Sequence, residues 1–291
     1  MSAMRSPKTK VAQAGARLVA RATSRARMLP GFLIIGTKRG GSTSLYEYVI
    51  RHPAVAGCLL QKGSHYFDVN FTRGWNWFRS TFPLATGRRA VTGEASPYYM
   101  FHPLAPQRIA AALPDVRLIA VLRDPVDRAW SHFQYERRQG HEDLPFGEAL
   151  RREPERLAGE AERMIAEPGY SSFAYRHFSY LARGHYAEQL EKVHALLPPS
   201  HVLVLQSEAL FADPDAELER VWRFLGLGPC RIGEAPAFKA GDCTEAVPPA
   251  ARAWLERYFA RPNQRLYGLP GVSFRWPARL ERHGPTDARA R

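Results

Sequence analysis

Three short runs that are apolar at almost every position limit most strongly what this chain can fold into. "FLIIG" (residues 32–36), "VRLIAVL" (116–122) and "HVLVLQ" (201–206) lack the apolar–polar alternation of a strand with one wet face. Helical patterns stand between and around them. They cover 43–51, 103–113, 125–139, a polar stretch over roughly 145–167, a helix starting near His185, 214–225, and a last one at about 248–260. Another short strand ends near Glu94. Doubly buried strands alternating with helices predict an α/β chain built on a parallel sheet. Such sheets open ligand crevices at the carboxyl ends of their strands. Chemistry is therefore expected in the polar sequences that follow the first and third strands.

After the first strand the chain reads "GTKRGGSTSLYEYV". Gly36 and Gly41 have the G-x-x-x-x-G spacing of a triphosphate-binding loop, but Ser42 stands where such a loop carries its lysine. Two cations, Lys38 and Arg39, lie inside the loop instead. Backbone N–H groups over a glycine-rich turn, continued by a helix N-terminus, still form an anion nest. Ser42, Thr43 and Ser44 add hydroxyl donors. This composition suits a phosphate joined to one further anionic group better than a magnesium-bound triphosphate. The plainer alternative is a βα turn with capping serines.

The third strand runs into "VLRDPVDRAWSHFQYERR". Arg123 emerges at its tip, and Pro125 starts a helix at a position where its missing N–H costs little. Ser131, two turns into that helix, returns toward the strand tip. An arginine and a hydroxyl placed so would clamp a second, separate phosphate; Asp124 capping the helix and pairing with Arg123 is the alternative. Strand, glycine loop and helix together predict a P-loop-like fold, a central parallel sheet flanked by helices.

Charge agrees with an anionic ligand. The chain has 41 Lys and Arg against 28 Asp and Glu, a net charge of +13. Part of the excess is local: residues 1–28 hold Arg5, Lys8, Lys10, Arg17, Arg21, Arg25 and Arg27 and no acid. That segment is expected to be a solvated, disordered arm, with contact to an anionic lipid or polymer as the alternative. Residues 29–278 are expected to form a single domain and 279–291 a polar tail. No segment approaches ~18 uninterrupted apolar residues, so the expectation is a cytoplasmic chain, membrane-peripheral at most through its arm. No nucleic-acid signature accompanies the charge. Cys58, Cys230 and Cys243 show no metal-ligand spacing, and no metal is expected. Cys230 and Cys243 would pair only in an oxidising compartment.

Together, the two loops resemble the sulfotransferases that use 3′-phosphoadenosine 5′-phosphosulfate (PAPS) as donor. The resemblance is strongest to the heparan-sulfate-type branch and its bacterial relatives. It extends in the family's order through "KGSHYFD", "GWNWFRSTFP", "TGEASPYY", "RGHYAEQLEKV", "FADPDAELERVWRFLGL" and "GVSFRW", from about residue 32 to 276. It implies that Lys38, Arg39, Gly40, Gly41, Ser42, Thr43 and Ser44 hold the 5′-phosphosulfate, and that Arg123 and Ser131 hold the 3′-phosphate. Two departures stand out. The family's customary catalytic lysine falls on Arg39, with Lys38 one position earlier. Arginine cannot donate a proton, so a protonated amine would require Lys38 to turn inward. The third cofactor loop falls at "FKAGDCTEAVPP", which keeps only Lys239.

The resemblance further implies in-line sulfuryl transfer to a hydroxyl, or less readily an amine, of a carbohydrate, glycolipid or other small acceptor. Arg39, with Lys38, would stabilise the leaving phosphate. Glu94, between "AVTG" and "ASPYY", is expected to be the general base, with burial beside Tyr98 and Tyr99 opposing the pull of nearby cations on its pKa. An acid that merely balances those cations is the alternative. His65 is the rival base, because the cytosolic branch of the family uses a histidine. Lys62, Trp77 and Tyr186 are candidate acceptor contacts, each with a plainer reading: a solvated lysine, core packing for Trp77 beside Trp75, and packing at a helix start. "SSFAYRHFSYLARGHY" reads as a helix beside the acceptor cleft. Two other functions compete. A P-loop kinase or nucleotide hydrolase is disfavoured by Ser42 and the Arg-Asp-Pro strand end. A non-catalytic binder of anionic polymer or membrane would tolerate Glu94→Gln.

Overall fold

A computed structural model describes residues 19–59, 62–85, 91–233 and 245–277. The strands are β1 (Phe32–Gly36), β2 (Val55–Ala56), β3 (Val91–Ala95), β4 (Arg117–Leu122) and β5 (Val202–Gln206). They form one sheet in the order β2-β3-β1-β4-β5, every pairing parallel. Leu33 is the Cα partner of Glu94 on one side and of Leu118 on the other, and Leu118 in turn of Val202.

The uniformly apolar strands have the expected cause. Leu33, Ile35, Leu118, Ala120 and Leu122 enter one core with the buried faces of α3 (Ala105–Ala112) and α8 (Tyr186–His194). Phe32, Ile34, Ile119 and Val121 enter a second core with α1 (Ser42–Val49) and α10 (Pro214–Leu225). Successive side chains of a strand point to opposite faces, so a strand covered on both must be apolar throughout. Each such side chain contributes ~1.5–3 kcal/mol relative to exposure. A third cluster joins α4 (Pro125–Arg138), α5 (Phe146–Leu157) and α11 (Pro249–Tyr267) through Trp130, Phe133, Phe146 and Phe259.

Local chemistry sets the element ends. Asp124 caps α4 by accepting from the N–H groups of Val126 (2.8 Å) and Asp127 (3.4 Å), with Pro125 in the first turn. Three segments differ from the sequence expectation. The aromatic patch coils into a short α2 (Trp75–Arg79), from which Phe78 stacks on Tyr66 at 4.7 Å. The polar stretch splits into α5 and α6 (Glu160–Ala166), because Gly159 takes φ +72° and reverses the chain between them. The last helix continues to Tyr267 through Pro262, since Leu266 goes on burying the face begun by Leu255 and Phe259. A five-residue α7 (Phe173–His177) and α9 (Ser207–Ala212) lie between these longer helices. Cys58 and Cys230 are free thiols, and Cys243 lies outside the described residues.

Candidate active site

β1 delivers the glycine loop to the carboxyl edge of the sheet, where the loop folds back on β4. The N–H of Thr37 donates to the Val121 carbonyl (2.9 Å) and that of Gly40 to the Thr37 carbonyl (3.0 Å). A Cβ on Gly40 would lie 2.5 Å from the Val121 oxygen, so only glycine fits. Arg39 (φ +70°) and Gly41 (φ +100°) turn the chain tightly into α1. First-turn N–H groups of a helix lack intrahelical partners, and Gly41 contributes no capping side chain. The loop thus has the backbone approach and dipole that a phosphate group requires.

Two loops far apart in sequence meet here. Arg39 Nε donates to Ser131 Oγ on α4 (3.0 Å), and its guanidinium lies 5.3 Å from the Tyr135 ring. Arg123, half-buried at the end of β4, offers its carbonyl to the Tyr186 hydroxyl (2.9 Å). Asp124 is occupied as the α4 cap.

Beside the loop lies a cleft of about 240 Å³ whose lining includes Lys38, Arg39, Lys62, His65, Arg176 and Arg183. Lys62 Nζ donates to Thr43 Oγ1 at 2.7 Å, linking "KGSHYFD" to the first turn of α1. His65 Nδ1 donates to Asp68 Oδ2 (2.8 Å), a carboxylate fully shielded from solvent, while the imidazole is 31% exposed. That tautomer leaves Nε2 as the accepting nitrogen. Arg183 is buried between the rings of Tyr98 and Phe101, 4.6 Å from each, and donates through Nε to Ser179 Oγ (2.6 Å).

Lys38 turns inward, onto Glu136 of α4 (2.5 Å), and also donates to the Arg176 carbonyl (3.3 Å). Burial first, and then the charge of Arg183, lower its pKa to about 7, with Glu136 opposing. For Glu136 itself burial would raise the pKa. Hydrogen bonds from His132 and His177 and the charge of Lys38 outweigh that and hold it well below the usual carboxylate range.

Three of the sequence candidates do not line this cleft. Glu94 is completely buried under the cleft floor and does not line the cleft. One oxygen accepts from the Ser64 N–H (2.5 Å) and the other from the Tyr99 hydroxyl (2.6 Å). Burial pushes its pKa up as the context suggested, with those hydrogen bonds opposing. Trp77 packs against the aromatic core beside Tyr66 and under the Arg73 guanidinium (4.3 Å), so it offers no platform in the cleft. Tyr186 is 1% exposed and supports the Arg123 backbone from within the core. Lys239 lies outside the described residues.

Asp68 supports His65 and Glu136 supports Lys38 from behind the cleft, while Arg176, His177 and Arg183 line it; the sequence assigned none of the five a role, although "KGSHYFD" includes Asp68. The basic, aromatic composition of "SSFAYRHFSYLARGHY" was the available signal for the last three, and that segment does line the cleft, though as short helical pieces. Glu136, inside an ordinary amphipathic helix, gave none.

Comparison with known proteins agrees with this architecture. The sulfotransferase domain family matches residues 29–232. Heparan sulfate glucosamine 3-O-sulfotransferase 6 of Homo sapiens is 30% identical over 284 residues, covering 86% of this chain and 74% of that protein. The human bifunctional heparan sulfate N-deacetylase/N-sulfotransferase 3 is 28% identical over 215 residues, covering 69% of this chain and 23% of the relative. Among solved structures, a sulfotransferase from Alicyclobacillus acidocaldarius superposes with a TM-score of 0.66 at 27% identity, covering 85% of this chain and 98% of that one. These relatives overturn the expectation of a cytoplasmic chain, because the heparan sulfate sulfotransferases are Golgi lumenal enzymes. Among the described residues no helix is long and apolar enough to cross a membrane.

Proposed function

The chain belongs to the sulfotransferase domain family and is a sulfotransferase; from that premise we propose that it uses PAPS, without a metal, to sulfate a saccharide hydroxyl. One observation carries the reading. Among the described residues the cleft is lined by five cations, Lys38, Arg39, Lys62, Arg176 and Arg183, and by no carboxylate. A donor bearing phosphate and sulfate groups needs that charge, and the cations supply what magnesium supplies to a nucleoside triphosphate.

The donor brings an activated sulfuryl group; the chain's residues position and neutralise. The loop from Lys38 to Ser44 takes the 5′-phosphosulfate. Arg123 and Ser131 take the 3′-phosphate, with Ser131 already tied to the first loop through Arg39. His65 accepts the proton of the attacking hydroxyl at Nε2, and Asp68 fixes the tautomer and steadies the imidazolium. The role is given to His65 ahead of Glu94 because His65 lines the cleft and Glu94 does not. Lys62 and Arg176 hold the acceptor. A saccharide hydroxyl is favoured over an amine because the relative matched over most of its length is a glucosamine 3-O-sulfotransferase.

Calorimetry with 3′-phosphoadenosine 5′-phosphate tests the reading. Binding should need no magnesium and should weaken by about 10–100-fold in Arg123→Ala, the loss of a charge-assisted contact. Binding of magnesium-ATP in its place would discard it.

A further inference from the structure

Glu136 is the centre of a hydrogen-bond chain that sulfuryl transfer, as set out above, does not use. Its Oε1 accepts from Lys38 and lies 3.2 Å from His132 Nε2. Its Oε2 accepts from Nδ1 of His177 and from Nδ1 of His141, at 2.8 Å each. Exposure rises along the chain: Glu136 and His132 are fully shielded, His177 is 15% exposed and His141 32%. The series starts at an ammonium in the cleft wall and ends at an imidazole in contact with solvent.

We propose that Glu136 is a positioning residue that holds Lys38 as the proton donor of the site, and that His177 and His141 connect this donor to solvent. The inference rests on the sulfotransferase reading. Arg39, where the family's catalytic lysine would fall, is bound to Ser131 and lies against Tyr135, and a guanidinium does not release a proton near neutral pH. Lys38 is the neighbouring amine in the same cleft. In the transfer, the bond between sulfur and the bridging oxygen breaks, and its electron pair stays on the leaving phosphate. Lys38 gives that oxygen a proton and becomes a neutral amine. Glu136 takes a proton at Oε2 from an imidazolium of His177 or His141 and becomes a neutral carboxyl group; once that group has turned, it passes the same proton to the Lys38 amine, and solvent restores the imidazolium. The acceptor's own proton leaves separately through His65.

Every charged or titratable neighbour of Lys38 bears on its readiness to donate. Arg183 and Arg176 lower its affinity for the proton, and Glu136 raises it. Tyr135 lies beneath it at 5.4 Å. His132 stands behind it on α4 and is itself held neutral by burial and by the charge of Lys38. Burial likewise lowers the pKa of His177, so its imidazolium forms only in passing. A group that exchanges its proton near neutrality is suited to general acid work. Glu136, His141 and His177 also have ligand atoms within 4.8 Å of one another, the spacing of a metal site. The ammonium on Oε1 and the guanidinium of Arg183 make the position hostile to a further cation.

The test uses the full chain labelled at lysine Cε, which has only Lys8, Lys10, Lys38, Lys62, Lys192 and Lys239 to resolve. Carbon-13 titration should show one signal, absent in Lys38→Arg, moving near pH 7 in the wild type. In Glu136→Gln it should move at lower pH, because the carboxylate that favoured the proton is gone. The pH profile of turnover with PAPS should lose its high-pH side as Lys38 deprotonates, and Glu136→Gln should shift that limb downward. Lys38→Arg keeps a positive charge in the loop, so its loss should fall mainly on turnover, about 10²–10⁴-fold, and far less on the Kd for 3′-phosphoadenosine 5′-phosphate. If Lys38 titrates with the other lysines, or Lys38→Arg keeps wild-type kcat, the proposal is wrong. An even loss of kcat in Glu136→Gln with an unmoved limb would make Glu136 purely structural. Stoichiometric zinc uptake abolished by His141→Ala would give the cluster a different purpose. A wild type that transfers no sulfuryl from PAPS would instead sink the functional reading and this one with it. The wild-type titration and Lys38→Arg decide the matter even if Glu136→Gln does not fold.

Discussion

Two fully buried carboxylates, Glu94 beneath the segment that carries His65 and Glu136 behind Lys38, show how differently one residue type can be used at the same depth. Around Glu94 the partners are neutral donors, the Ser64 N–H and the Tyr99 hydroxyl, and burial wins: its pKa rises. Around Glu136 they are an ammonium and three imidazoles, and burial loses: its pKa falls. Depth alone therefore says nothing about charge. Neutral donors make Glu94 a brace joining β3 to the segment that carries His65, whereas an ammonium and its imidazole neighbours keep Glu136 an ionised hub behind Lys38.

The largest expected effect tests whether Glu94 is only a brace. His65→Ala should lower kcat by about 10²–10⁴-fold, while Glu94→Gln keeps turnover within a few-fold of wild type; a collapse in Glu94→Gln with His65→Ala unharmed would reverse the comparison. Next is stability. Glu136→Leu leaves Lys38 without its counter-charge and should cost about 3–5 kcal/mol by urea unfolding. Glu94→Gln, which disturbs two neutral hydrogen bonds, should cost about 1–3 kcal/mol.

Stability against pH sharpens the contrast, because the two acids have opposite slopes. The folded pKa of Glu136 lies below its unfolded value, so its contribution is complete above the ordinary carboxylate range and is lost as pH falls toward the folded value. The folded pKa of Glu94 lies above its unfolded value, so its cost appears as pH rises from the ordinary carboxylate range through the raised value. Urea midpoints between about pH 3 and 8 should show Glu136→Gln flattening the acid side and Glu94→Gln flattening the rise of that cost. The smallest effect belongs to the displaced aromatic candidate. Tyr186→Phe removes the hydrogen bond to the Arg123 carbonyl, costs about 1 kcal/mol, and leaves the acceptor KM unchanged.

What could be read from the chain alone was what neighbouring residues decide among themselves. The doubly apolar strands, the glycine loop and the Asp-Pro helix start depend on contacts within a few residues, and β1, β4, β5, α1, α4 and α10 lie close to where the sequence put them. The family followed from two such loops in order. Local pattern was weaker where tertiary packing chose the outcome, as in the aromatic patch that became α2 and the Pro262 that did not stop α11.

Which side chains meet in and behind the cleft was decided only by the tertiary fold. Glu136 meets Lys38 across 98 residues and His177 across 41, and Glu94 meets Ser64 across 30. A carboxylate's charge state and accessibility are set by such partners through burial and Coulomb interaction, which act over ångströms in space and are blind to order along the chain. The sequence supplied two loops, a surplus of cations and a short set of candidate acids and bases; the packing of α4, α7 and "KGSHYFD" around the glycine loop decided which of them line the cleft.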